Sequence, residues 1–148
     1  MTTVSDSKKE WTRFTDEGAQ FLKTAMNAVR KRRKVFTPDI LYNLIAMSIE
    51  KYIMGYLLYR KNLPDNHTLG DLMDALRRVD AVEDELCDRI IRMDRFQEIC
   101  CITTYSREMP EEKDIEEMLT LGAMIRDFVE AQMEAPFSAQ ASILLMSR

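Results

Sequence analysis

An all-α fold is predicted by three features of this 148-residue sequence. Apolar residues recur at three- and four-residue steps, glycine and proline occur only four times each, and several segments open on helix-capping residues. Apolar residues make up 46% and charged residues 31%, an ordinary globular balance. A chain of this size buries roughly 70% of the surface its unfolded form exposes, so it needs no staples. Four long helices and one short one, joined by short links, predict an up-and-down bundle. No linker divides the chain, so a single domain spans 1–148, with 136–148 as a C-terminal tail.

The first helix is expected over about Ser7 to Lys34, where Trp11, Phe14, Gly18, Phe21, Leu22, Ala25 and Val29 fall on one face. It closes on Arg30-Lys31-Arg32-Arg33-Lys34. Adjacent helical residues point all round the axis, so this run reads either as a patch for an anionic partner or as cations complementing the negative end of the helix dipole. The second helix starts at Thr37-Pro38-Asp39. That start supplies a hydroxyl N-cap, a proline whose missing N–H costs nothing there, and an acid facing the positive dipole end. Leu41, Leu44, Ile45, Ile49, Tyr52, Ile53, Tyr56 and Leu57 cover more than one stripe, which places this helix at the centre.

After Arg60 the chain turns through Asn62-Leu63-Pro64-Asp65-Asn66, and Thr68 with Asp71 has the spacing of a capping box for a short helix over about Leu69 to Val79. Asp80 with Glu83 forms a second cap-like pair before helix four. That helix carries Leu86, Ile90, Met93, Phe96 and Cys100 on one face and fades through Thr103-Thr104-Tyr105-Ser106-Arg107, where helix propensity falls. Helix five opens on Pro110 and the acids Glu111, Glu112, Asp114, Glu116 and Glu117. It buries Ile115, Met118, Leu119, Gly122, Ile125, Val129 and Met133, and Pro136 stops it. The tail cluster Ile143-Leu144-Leu145-Met146 is too short to stand as a helix alone.

A net charge of −4 argues against a general nucleic-acid coat protein and against DNA as a partner. Cys87, Cys100 and Cys101 are odd in number, which points to a reducing cytoplasm without a structural disulfide. The N-terminus lacks an apolar run, and Ile40 to Leu58 is interrupted by Asn43, Glu50 and Lys51, so neither secretion nor membrane spanning is expected.

His67 is the only histidine, and with no Cys-x-x-Cys neither a metal site nor a cofactor is expected. His67 itself reads as a general base or phosphate contact in a loop, or as a residue packing over the first turn of helix three. Tyr105 beside Arg107 suits base stacking and phosphate pairing, or else a plug at a helix end with a solvated arginine. Arg89, Arg92 and Arg95 recur every three residues with Glu85, Asp88 and Asp94 as nearby ion-pair partners. Met47, Met54, Met93, Met118, Met124 and Met133 read as core filler or as an adaptable binding surface. Surplus apolar positions on helices two and five suggest a subunit interface in a homodimer.

The cassette from Phe36 to Leu76, a long buried helix, a polar loop and a second helix, resembles the HEPN domain family (higher eukaryotes and prokaryotes nucleotide-binding). Asn66-His67-Thr68-Leu69 looks like a shifted form of the family's Thr-His-Asp-Leu-like loop, and Ser48-Ile49-Glu50-Lys51 resembles its Glu-Lys pair. The likeness covers about Gly18 to Met133. It implies a helical homodimer with a nucleotide-binding role; many members are metal-independent RNases that use an arginine and a nearby histidine at the start of the last long helix.

This sequence departs from that nuclease pattern, because no histidine follows residue 67 to partner Arg107 or Arg126. Arg60 and His67 match the motif only as text, on the wrong element. Thr104-Tyr105-Ser106 stands where many relatives carry Arg-Tyr-Pro, with the arginine displaced to Arg107. The resemblance therefore implies a module without intrinsic catalysis that binds a nucleotide or a partner such as a small nucleotidyltransferase, with His67, Tyr105 and Arg107 as nucleotide contacts. The alternatives are a toxin-type RNase with a site rearranged around Arg60, His67, Tyr105 or Arg107, and a purely structural module.

Overall fold

A computed structural model describes residues 4–31, 34–96 and 109–134. Tyr105, Arg107, Cys100, Cys101, Pro136 and the apolar tail cluster lie outside them. Every regular element among the described residues is helical: α1 (Val4–Arg30), α2 (Pro38–Tyr59), α3 (Leu69–Val79), α4 (Asp84–Ile91) with a 3-10 turn at Arg92–Phe96, and α5 (Glu112–Glu134). The all-α class follows from the sequence as predicted.

Element lengths differ from the expectation. Among the described residues α1, α2 and α5 are long and α3 and α4 short. The chain tightens into 3-10 geometry after Ile91, which sets Met93 and Phe96 in the core and Asp94 over the start of α3. Helix α1 ends at Arg30, short of Lys34. Continuing it would stack like charges at three- and four-residue spacing, which disfavours helix.

Two of the predicted caps form. Thr37 Oγ1 accepts from the Ile40 N–H at 3.3 Å. Thr68 Oγ1 accepts from the Asp71 N–H at 3.1 Å and donates to the Asp71 carboxylate at 2.6 Å. The third does not: Glu83 stands at the N-cap of α4 without a side-chain bond. Asp80 instead closes α3, its carboxylate taken by the Ala81 N–H and the Tyr56 hydroxyl. A hydroxyl arriving from α2 outcompetes the local cap.

Helix α2 is central, as its apolar pattern predicts, with Ile45, Ile49, Ile53 and Leu57 fully buried. Its apolar surplus is consumed within the chain, by α1, α3 and α5, and only Ile40 and Met47 remain largely exposed on it. The approach to α1 is close enough to require glycine on both sides. A Cβ on Gly18 would stand 2.9 Å from the Tyr52 ring, and one on Gly55 would stand 2.9 Å from Thr15 Cγ2 and 3.1 Å from the Trp11 carbonyl. The buried Ser48 hydroxyl donates to the Gly18 carbonyl at 2.7 Å across this seam.

These pairings, with Trp11 packed edge-on against Tyr59, make α1 and α2 antiparallel. The end of α2 is a Schellman turn: the Asn62 N–H reaches the Leu57 carbonyl, the Lys61 N–H reaches the Leu58 carbonyl, and Lys61 takes a left-handed φ of 56°. The loop then returns along α2, so that α3 starts near Glu50 and ends near Tyr56, in the same sense as α2. Strict up-and-down alternation breaks there. Helix α4 returns alongside α3, and α5 runs back against α4 through the Arg89–Glu117 and Arg95–Asp114 pairs.

Candidate functional site

His67 is held by α2 rather than by the start of α3. Its Nδ1 lies 3.1 Å from Glu50 Oε1, and its side chain is about half exposed at 52%. The pair borders a small hollow of about 160 Å³ that Asn43, Met47, Leu69 and Asp94 also line. Asp94 accepts from the Leu69 N–H at 3.2 Å and the Gly70 N–H at 3.0 Å, anchoring the 3-10 turn to the positive end of α3. Burial raises its pKa, partly opposed by those two N–H bonds.

Two carboxylates and an imidazole therefore meet in one cleft. A phosphate there faces like charge from Glu50 and Asp94, whereas the amino edge of a base finds acceptors in both. With Nδ1 turned to Glu50, Nε2 is the ring nitrogen left to meet a ligand. Tyr105 and Arg107, the other sequence candidates, lie outside the described residues.

Arg60 belongs to a different cluster. Its Nη1 donates to the Tyr56 hydroxyl at 2.8 Å, and that hydroxyl donates to Asp80 Oδ2 at 2.6 Å. Burial, followed by the Asp80 carboxylate, pushes Tyr56 up to about 12. Glu50, which holds His67, stands about 15 Å from Arg60 along the axis of α2. The described chain thus does not bring Arg60 and His67 into one site.

The arginine row also pairs differently from expectation. Arg89 Nε donates to Glu117 at 2.6 Å and Arg95 Nη2 to Asp114 at 3.3 Å, both on α5 rather than on their own helix. Arg92 Nε donates to the Asp88 carbonyl at 3.3 Å. The bond from Arg89 lowers the Glu117 pKa. Arg89 and Arg95 thereby stitch α4 and its 3-10 turn to α5.

A larger cavity of about 580 Å³ lies between α1, α2 and α5. Sequence reasoning placed Tyr52 and Leu119 on core faces, and both line this cavity. The Tyr52 ring is 1% exposed, and its hydroxyl has no hydrogen-bond partner among the described residues. Burial pushes it up to about 12, with the Glu130 charge adding to the rise. The methionines divide: Met54, Met93 and Met118 are core, while Met26, Met47 and Met124 are partly exposed.

Among the described residues no three metal-ligating side chains cluster, and no helix is long and apolar enough to cross a membrane. No family model, curated protein or solved structure matches the chain.

Proposed function

We propose that the chain is a HEPN-like helical module without intrinsic catalysis, acting in the cytoplasm as a homodimer that binds a nucleotide or a partner protein such as a small nucleotidyltransferase. One observation carries the reading. The only histidine is tied to Glu50, while Arg60, its sole textual motif partner, is locked onto Tyr56 and Asp80 at the far end of α2. An acid–base pair needs both groups within hydrogen-bond reach of one substrate. A nucleotide would present its base edge to Glu50, Asn43 and His67, with Tyr105 as stacking partner and Arg107 on phosphate. Ile40, Met47 and Met124 supply exposed apolar surface for a second subunit.

The toxin-type RNase has one observation in its favour. Glu50 orients the imidazole as a carboxylate orients a catalytic histidine, leaving Nε2 as a base. Cleavage of a labelled RNA pool by purified protein, beside His67→Ala and Arg107→Ala proteins, separates the two readings. No cleavage, or equal cleavage by all three from a contaminant, is expected. Cleavage lost in either variant makes the chain an RNase and overturns the proposal. Light scattering on the same samples checks the dimer, which a monomeric mass would refute.

A further inference from the structure

The cavity of about 580 Å³ between α1, α2 and α5 is an open groove that shares no lining residue with the His67 cleft. Helices α1 and α5 lean on α2 far more than on each other, so the seam between them is left unfilled. Its walls are apolar, with Leu22, Met26 and Val29 from α1 and Leu119 from α5, and Met26 remains 43% exposed there. Direction decides which end of the chain can reach it. Gly122 faces Leu22 and Ile45, and the Phe128 ring packs edge-on against Tyr56. Helix α5 therefore runs with α2 and against α1, and its last residue, Glu134, lies one turn beyond the Ala19–Glu130 end of the groove.

Residues 135–148 follow that end, and they hold the apolar cluster Ile143-Leu144-Leu145-Met146 that no part of the bundle yet accounts for. Such a cluster is too short to stand as a helix alone and gains by leaving water. We propose that this groove is the docking site of the chain's own C-terminal segment, with Ile143–Met146 laid against Met26, Val29 and Leu119. Pro136 cannot continue α5, so the chain turns away from the helix axis there. The reach suffices. The groove follows α5 from Leu119 to Glu130, its midpoint about 12 Å back from Glu134, whereas the link from Glu134 to Ile143 spans up to roughly 30 Å. Residues 135–147 carry no charge, so they cross a rim bearing Lys23, Arg126 and Glu130 without burying an ion. A segment on so short a tether meets the groove at an effective concentration of the order of mM, ahead of any free partner.

Photo-cross-linking of the full chain tests the assignment, with p-benzoylphenylalanine placed at Met26 in the groove and, as control, at Met47, which is similarly exposed but borders the His67 cleft. Irradiation is expected to join position 26 to residues 143–146, read by peptide mass spectrometry, in a product that keeps the mass of one chain on a denaturing gel. Position 47 should not capture them. The Leu144→Asp/Leu145→Asp variant should abolish the capture, and anilinonaphthalene sulfonate should brighten several-fold with it as the groove opens, while the circular dichroism melt stays cooperative. No capture of 143–146 from position 26, equal capture from position 47, or capture that survives the aspartates would each overturn the assignment. A product of twice the chain mass would overturn it too, by showing that a second copy fills the groove. The RNA-cleavage outcome leaves this test untouched, because the groove and the His67 cleft are separate.

Discussion

Tyr52 and Tyr56 stand one turn apart on α2, both almost wholly buried and both pushed up to about 12 by burial first, yet their hydroxyls meet opposite fates. The Tyr56 hydroxyl donates to Asp80 and accepts from Arg60, tying the end of α2 to the end of α3. The Tyr52 ring packs on Gly18, and among the described residues its oxygen has no hydrogen-bond partner. Equal burial with unequal satisfaction separates a polar group that ties two helices together from one whose burial cost is left uncompensated. The Tyr56 end is a closed network, whereas the Tyr52 region borders a cavity of about 580 Å³ between α1, α2 and α5.

The largest expected effect comes from breaking the satisfied side. Asp80→Ala leaves a buried phenol and a half-buried guanidinium without their anion and should cost about 3 kcal/mol in a urea melt. A loss below about 1 kcal/mol would mean that the network adds little.

Alkaline pH should break both tyrosines alike. Each folded-state pKa, about 12, lies above the reference value of 10.0, so the neutral phenol favours the folded chain. That stability is complete below pH 10 and is lost as pH rises through 12. The loss should be on the order of 2 kcal/mol per tyrosine. Denaturant melts from pH 9 to 12 should show a steep alkaline limb, shallower when either tyrosine is replaced by Phe.

Smaller effects sharpen the contrast. Lys61 holds the left-handed position of the turn that sets Arg60 over Tyr56, so Lys61→Gly should stabilise by about 0.5–1 kcal/mol. The His67–Glu50 pair is exposed, and His67→Ala should shift stability by less than about 0.5 kcal/mol. A large loss there would make the histidine part of the scaffold rather than of a site.

Much of the fold was legible because its signals are local. The threonine caps before α2 and α3, the bounds of α3 and the central place of α2 follow from capping chemistry and apolar periodicity. The long-range choices were not legible. Asp80 satisfied a cap pattern in sequence, and only the return of α3 along α2 offers it the Tyr56 hydroxyl instead. Arg89 and Arg95 had acids on their own helix and took others on α5. Periodicity marked Tyr52 as inward-facing, but no pattern tells whether an inward hydroxyl finds an acceptor. Of the three site candidates, His67 was found with a partner on α2, and Glu50 had been noted only as a break in an apolar run and through family resemblance.

The most direct measurement is the urea midpoint of Tyr52→Phe beside that of Tyr56→Phe in ligand-free protein. Tyr56→Phe should lose about 1–2 kcal/mol, while Tyr52→Phe should match the parent or exceed it, because removing an unpartnered hydroxyl removes its desolvation cost. Equal losses in the two variants would show that Tyr52 already has its partner within the chain, and would contradict the account.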